Sequence, residues 1–261
     1  MMKRILLTGL LVVLPLIFVS AQFTYGTTGL MHAPTADMQQ DKTFMFGGGY
    51  INNDALPNRW EYSTWNYYVN ITAFPWLEVA YTCTIFDEWI DRGAPIHMKN
   101  QDRFFSGRLR LWKEGWWKEW TPQIVVGAND VLHGSDEGGK IGAVEGSSEN
   151  GNTFFQRYYV AATKHLSLYG KWGLHVSYVY SKRIGHRYNG FAWGVDYTVD
   201  LPEVNTLNKL MNGINLMLEY DSRGINIGGK YSIWKDHINL VGELRECRHP
   251  SIGVYFKVHL K

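Results

Sequence analysis

From Thr43 to the last residues of the chain, apolar and polar positions alternate with a period of two, run after run. In one run Trp65, Tyr67, Val69, Ile71 and Ala73 share a face, with Asn66, Tyr68, Asn70 and Thr72 opposite. In another, Phe105, Gly107, Leu109 and Leu111 alternate with Ser106, Arg108, Arg110 and Trp112. Further along, Trp172, Leu174, Val176, Tyr178 and Tyr180 stand against Lys171, His175 and Ser177. The last run sets Ile252, Val254, Phe256, Val258 and Leu260 against Ser251, Lys257 and His259. Neighbouring side chains of a strand point to opposite faces, so each run reads as a strand with one apolar and one polar side.

Twelve such runs are predicted, at 43–52, 61–73, 76–86, 102–112, 121–129, 153–164, 168–180, 189–199, 213–221, 224–233, 236–245 and 250–260. Many are about 9 to 11 residues long, enough to cross a bilayer at a tilt, whereas strands of soluble domains average about 5 to 6. A soluble sandwich would bury the apolar faces in its core. An outer-membrane barrel turns them to lipid and the charged faces to a wet lumen. Length favours the second, and the predicted fold is all-β, a single antiparallel transmembrane β-barrel of about 12 strands.

If the first strand runs outward, inner turns fall at 74–76, 113–120, 165–167, 200–212 and 234–235. Outer loops fall at 53–60, 87–101, 130–152, 181–188, 222–223 and 246–249. The two longest are outside, as bacterial barrels have them, although 200–212 is long for an inner turn. Loop 130–152 is rich in Gly, Ser, Asp and Glu and reads as a solvated surface loop, with a ligand-contacting mouth as the functional alternative. Ahead of the barrel (43–261) lies an irregular segment, 22–42, with Gly26, Gly29 and Pro34; it fits either a plug in the lumen or a periplasmic tail.

Residues 1–21 read as a secretory signal peptide, with Lys3 and Arg4, an apolar run from Ile5 to Val19, and small residues Ser20 and Ala21 at the cleavage site. No later apolar stretch approaches the roughly 18 residues a spanning helix needs. Aromatics make up 15% of the chain, with 11 Trp and 16 Tyr, which suits ring anchors at two membrane interfaces. The formal net charge of +2 gives no basic excess, and no nucleic-acid partner is expected. Cys83 and Cys247 could pair in an oxidising compartment, but Cys83 falls on the outward phase and Cys247 in a loop.

Enzymatic readings are weak. His97, His133, His186 and Ser135 would have to supply a rim catalytic site, yet no nucleophile motif surrounds Ser135. His97, His133, His186 and His249 lack ligand-like spacing, so no metal and no cofactor is expected. The inward phase is more informative. It holds Arg108, Arg110, Arg157, Lys171, Lys230, Arg245 and Lys257 along with Glu78, Asp196, Glu219 and Glu243. Arg108, Arg110, Arg157, Lys171, Lys230 and Glu219 are the candidate lumen contacts to a ligand. Such a set either forms ion pairs that fill the lumen or attracts an anionic polymer through arginine–carboxylate bonds. Trp60, Trp89 and Tyr188 are candidate sugar-stacking or interface-anchoring rings.

Several blocks carry a family resemblance. They are Gly29-Leu30 with Pro34-Thr35-Ala36, Phe74-Pro75-Trp76-Leu77-Glu78, Leu109-Arg110-Leu111-Trp112-Lys113-Glu114, and Pro122 through Asp130. Tyr158 through Lys164, then Glu219-Tyr220-Asp221 with Asn226 and Gly228, continue it. The chain resembles the YjbH family of outer-membrane proteins tied to exopolysaccharide and group 4 capsule export. Typical members are longer, with a second barrel-like half, and they have Arg where this chain has Asn129. The resemblance implies a bacterial outer-membrane protein, in contact with membrane lipid, an anionic polysaccharide and periplasmic or outer-membrane export proteins. It implies a passive conduit or sugar contact without catalysis. A plugged scaffolding barrel and an outer-membrane hydrolase are the alternatives.

Overall fold

A computed structural model of the 261-residue chain describes residues 21–22, 24–57, 63–91, 95–131, 155–181, 187–234 and 236–260, without the side chains of 21–22 and 86–100. Residues 1–20 of the expected signal peptide and most of loop 130–152 lie outside the described residues. Two short strands come first, β1 (Ala21–Gln22) and β2 (Thr27–Thr28), paired antiparallel. Twelve more follow: β3 (Thr43–Ile51), β4 (Thr64–Phe74), β5 (Leu77–Asp91), β6 (Pro95–Trp112), β7 (Gln123–Asn129), β8 (Arg157–Ser167), β9 (Lys171–Tyr180), β10 (Gly190–Thr198), β11 (Ile214–Tyr220), β12 (Ile225–Ile233), β13 (Ile238–Arg245) and β14 (His249–His259). Each pairs antiparallel with the next, and β14 pairs with β3, so the sheet closes on itself as the predicted twelve-stranded barrel.

The alternation falls as expected. Along β4 the odd positions Trp65, Tyr67, Val69 and Ile71 are exposed, while Asn66, Tyr68, Asn70 and Thr72 are buried inside. A closed barrel leaves no unpaired edge, which makes it the sheet architecture that can sit in hydrocarbon. Rings gather at both margins of the apolar belt. At the end nearest the chain termini are Phe74 stacked on Trp76, Trp112 against Trp116, and Trp172 against Tyr197. At the other end are Tyr50 with Trp65, Tyr178 with Phe191, and Trp193 with Tyr220. No described helix is long and apolar enough to cross a membrane.

Two connections depart from expectation. The predicted loop 87–101 is mostly strand, since β5 and β6 stay in register to Asp91 opposite Pro95. The neighbouring strands end earlier, β4 at Thr64 opposite Phe86 and β7 at Asn129 opposite Ser106. The hairpin therefore projects beyond them into water, where neither face must be apolar, and the alternation that marks a lipid-crossing strand lapses. The 200–212 connection contains a one-turn helix, α1 (Thr206–Met211), whose Asn205 side chain accepts from the Asn208 N–H at 2.8 Å. Cys83 is buried on β5 and Cys247 is exposed in the β13–β14 turn, both as free thiols.

Candidate functional site

The segment ahead of β3 lies inside the barrel, and every residue from Thr24 to Gln39 is buried. It forms an internal plug. Beyond the β1–β2 ladder, a bridge between Gly29 and Pro34 closes a turn in which the Leu30 N–H donates to the Ala33 carbonyl at 3.2 Å. Gly26, at φ +66°, makes the bend between β1 and β2. A Cβ there would sit 2.6 Å from Thr82 Oγ1 and 2.8 Å from Tyr68 Cβ, so the wall requires glycine as much as the turn does.

The wall grips the plug chiefly by its main chain. Glu219 on β11 accepts from three consecutive N–H groups, those of Met31 (3.1 Å), His32 (2.9 Å) and Ala33 (3.0 Å). Consecutive amides turned to one side form an anion cradle, and here the anion is the barrel's own carboxylate. Asn226 also donates to it, at 3.0 Å. Arg157 on β8 donates to the His32 carbonyl at 2.8 Å and lies 3.4 Å over the Tyr25 ring. Arg108 on β6 donates to the Thr35 carbonyl and, at 3.1 Å, to Glu78. Glu78 in turn accepts from the Thr28 N–H at 2.6 Å. Gln123 donates to the Ala36 carbonyl at 2.6 Å, and the Ala36 N–H donates to Thr163 at 2.8 Å. Backbone groups taken out of water need partners, and charged wall residues supply strong ones.

Apolar contacts complete the seal. Tyr25 packs with Met45, Tyr68, Phe104, Phe155 and Tyr255. Leu30, Met31 and Ala33 meet Ala192 and Met217, while Ala36 and Met38 meet Val125, Tyr159 and Val179.

Of the six predicted lumen candidates, Arg108, Arg157 and Glu219 converge on the plug. Arg110 is half-buried within electrostatic reach of Arg108 and Asp37. Lys171 pairs with Asp200 at 3.2 Å near the rim, and Lys230 is buried close to Asp236 and Lys257, which are themselves paired at 2.7 Å. Tyr188 is not an exposed platform. It is buried, stacked 5.0 Å from His32, and donates to the Ala55 carbonyl at 2.7 Å. Asn129, at the position where an arginine was expected, accepts from Arg157 and donates to Ser106. Trp60, His133, Ser135 and His186, and the side chains of Trp89 and His97, lie outside the described residues. His249 rests 3.3 Å from Asp54.

A cluster missed from the sequence sits at the end of the lumen nearest the termini. Plug residue Asp37 lies 3.3 Å from His165 and 3.7 Å from His175. His165 also meets Glu114 at 2.6 Å, and His175 meets Asp196 at 2.7 Å. Burial alone would raise the Asp37 carboxyl, but the hydrogen bond and charge of His165, then His175 and Arg108, outweigh it and hold the carboxyl at about 2. A carboxyl depressed below its unfolded value of 3.8 stabilises the fold above that value and loses this contribution as pH falls through about 2. The folded protein is expected to lose about 2 kcal/mol across that window. Urea midpoints measured from pH 5 down to pH 2 should show the loss, and Asp37→Asn should remove it.

A closed antiparallel barrel with a lipid-facing apolar belt and a polar lumen defines an outer-membrane β-barrel, and the bacterial outer membrane is its location. Residues 21–137 match the YjbH family model, described as exopolysaccharide biosynthesis protein YbjH, so the resemblance drawn from the sequence holds across the plug and the first barrel strands. No curated protein matches the sequence. Among solved structures, the chain is similar to outer membrane phospholipase A from Escherichia coli, at 9% identity and a TM-score of 0.30, over 85% of this chain and 97% of that one. It is similar to the calcium-bound phospholipase dimer of Salmonella typhi at 10% and 0.32, over 84% and 90%. To Pseudomonas putida OprB at low pH the values are 8% and 0.29, over 82% and 90%. No chemistry is carried over from these distant barrels.

Proposed function

We propose that this barrel serves the export or surface assembly of an extracellular polysaccharide without catalysis, and that it does so with its lumen shut, as a docking platform for other export components. The observation that supports this most is the burial of Thr24–Gln39 with its main chain bonded to β5, β6, β7, β8 and β11. Solute flow through such a lumen would require the plug to leave. A gated conduit is the second reading. Its support is that Arg108 and Arg157 hold plug carbonyls by contacts that the carboxylates and hydroxyls of an acidic sugar chain could replace.

Planar-bilayer recording separates the two, combined with surface polysaccharide measured in cells that lack the protein and receive it back. The full-length protein is expected to be electrically silent, and Ala36→Cys with Thr163→Cys, which ties plug to wall, is expected to restore surface polysaccharide. Loss of polysaccharide in the tied variant alone would establish the conduit. Steady conductance of the full-length protein would sink the shut-lumen reading.

A further inference from the structure

A concave feature of about 830 Å³ lies on the lipid-facing wall rather than in the lumen, and a second of about 280 Å³ adjoins it. Its floor is set by a cross-strand pair of glycines, Gly229 on β12 directly opposite Gly242 on β13. Both are on the outward phase, between the inward residues Gly228 and Lys230 on one strand and Val241 and Glu243 on the other. Going round the barrel, Leu216 is the register partner of Gly229 and Ile252 of Gly242, so apolar walls flank the notch. Along the strands the pair Ile227 and Leu244 lies on one side and Tyr231 and Leu240 on the other. A Cβ at Gly242 would have nothing within 4 Å. The notch thus runs with the strands, is bounded by branched side chains, and has the size of a small-ligand site.

We propose that this groove seats one acyl chain of a membrane lipid whose anionic headgroup is met by Arg223 and Arg248. Its position in the apolar belt puts hydrocarbon at its mouth from the start. A second copy of the barrel with the two-fold axis through the glycine pair would set notch against notch and leave a void, whereas a flexible acyl chain follows the groove. The two tight turns at the end of the same strands away from the chain termini, 221–224 and 246–248, carry Arg223 and Arg248, and Arg248 is exposed. Arg223 is half-exposed, 3.8 Å from Glu246. Cationic side chains at that depth face the headgroup layer. The site is independent of whether the lumen opens.

The probe is a phospholipid bearing a diazirine on its acyl chain, made with either a phosphatidylglycerol or a phosphatidylcholine headgroup, in vesicles with the full-length protein. After irradiation, labelled peptides are mapped by mass spectrometry. Label is expected to concentrate on 225–233, 238–245 and 249–259, more from the glycerol lipid than from the choline lipid. Gly242→Leu fills the groove and should cut that label roughly threefold, since inside a bilayer only packing contacts separate the groove from bulk lipid. Gly107→Leu is the control, because Gly107 also faces outward with nothing within 4 Å of an added Cβ. It should leave the pattern unchanged. Even labelling around the barrel, equal labelling by both headgroups, no response to Gly242→Leu, or protein–protein cross-links through these strands in place of lipid ones would each overturn the assignment.

Discussion

Replacing Glu219 with alanine is expected to loosen the plug and to lower the stability of the folded barrel by about 3–5 kcal/mol, the scale for breaking a buried charged contact from one side. The substitution strips the acceptor from the N–H groups of Met31, His32 and Ala33 at once, at a site with no solvent exposure. Each donor left unpaired away from water costs about 1–3 kcal/mol, and water entering the vacated space recovers part of it. The side chain amide of Asn226 loses the same acceptor. Two readouts should move together: the urea midpoint falls, and a barrel silent as wild type shows intermittent conductance. Glu219→Gln keeps one acceptor oxygen and should lie between. An unchanged midpoint with a silent lumen would mean that the three amides do not hold the plug.

The second large effect is expected from a different point on the plug, where it passes close to Thr82 and Tyr68. Gly26→Val places a branched residue at φ +66°, where an L-residue costs about 1–2 kcal/mol. Its Cβ would also press on Thr82 and Tyr68, and overpacking adds about 1–3 kcal/mol. The strain falls on the plug, while the ladders of β3–β14 do not include Gly26. The variant should therefore still run as a compact, heat-modifiable barrel, but limited proteolysis should now cut within 22–42. Resistance equal to wild type would show that the wall can yield at Thr82. Because Gly26 and Glu219 act at different places on one segment, the same open phenotype from both would tie it to the plug rather than to general instability.

The barrel was legible because its signal is local. Trp65, Tyr67, Val69 and Ile71 must face lipid and Asn66 and Asn70 must not, so neighbours along the chain reveal the strand without reference to anything distant. The same logic explains the miss at 87–101, where Asp87, Glu88, Asp91 and Lys99 stand in a hairpin beyond the belt and no apolar face is required. Helix α1 was missed because Asn205 is its one capping cue and a single turn has no periodicity to read. Inward phase also marked Arg108, Arg157 and Glu219 as lumen residues. It could not show which part of the plug they hold, since the plug groups they hydrogen-bond are backbone groups of Met31, His32, Ala33 and Thr35, which carry no side-chain signature. Asp37, His165 and His175 meet only because the plug threads past β8 and β9, and no spacing along the chain encodes that.

The plug's bonds also constrain the order in which the molecule can be put together. Its segment is the first part of the described chain, yet its partners lie far downstream: Glu78 is 50 residues from Thr28, Arg157 is 125 from His32, and Glu219 is 188 from Met31. Contacts of such long range form slowly, because the intervening chain must be confined before any of them is gained. The seam that shuts the cylinder joins β3, which follows the plug directly, to β14, which comes last. The amides of Met31, His32 and Ala33 gain their Glu219 acceptor only once β11 is in place. Full anchoring of the plug is therefore expected to be a late step, reached only when β11 has brought Glu219 into place.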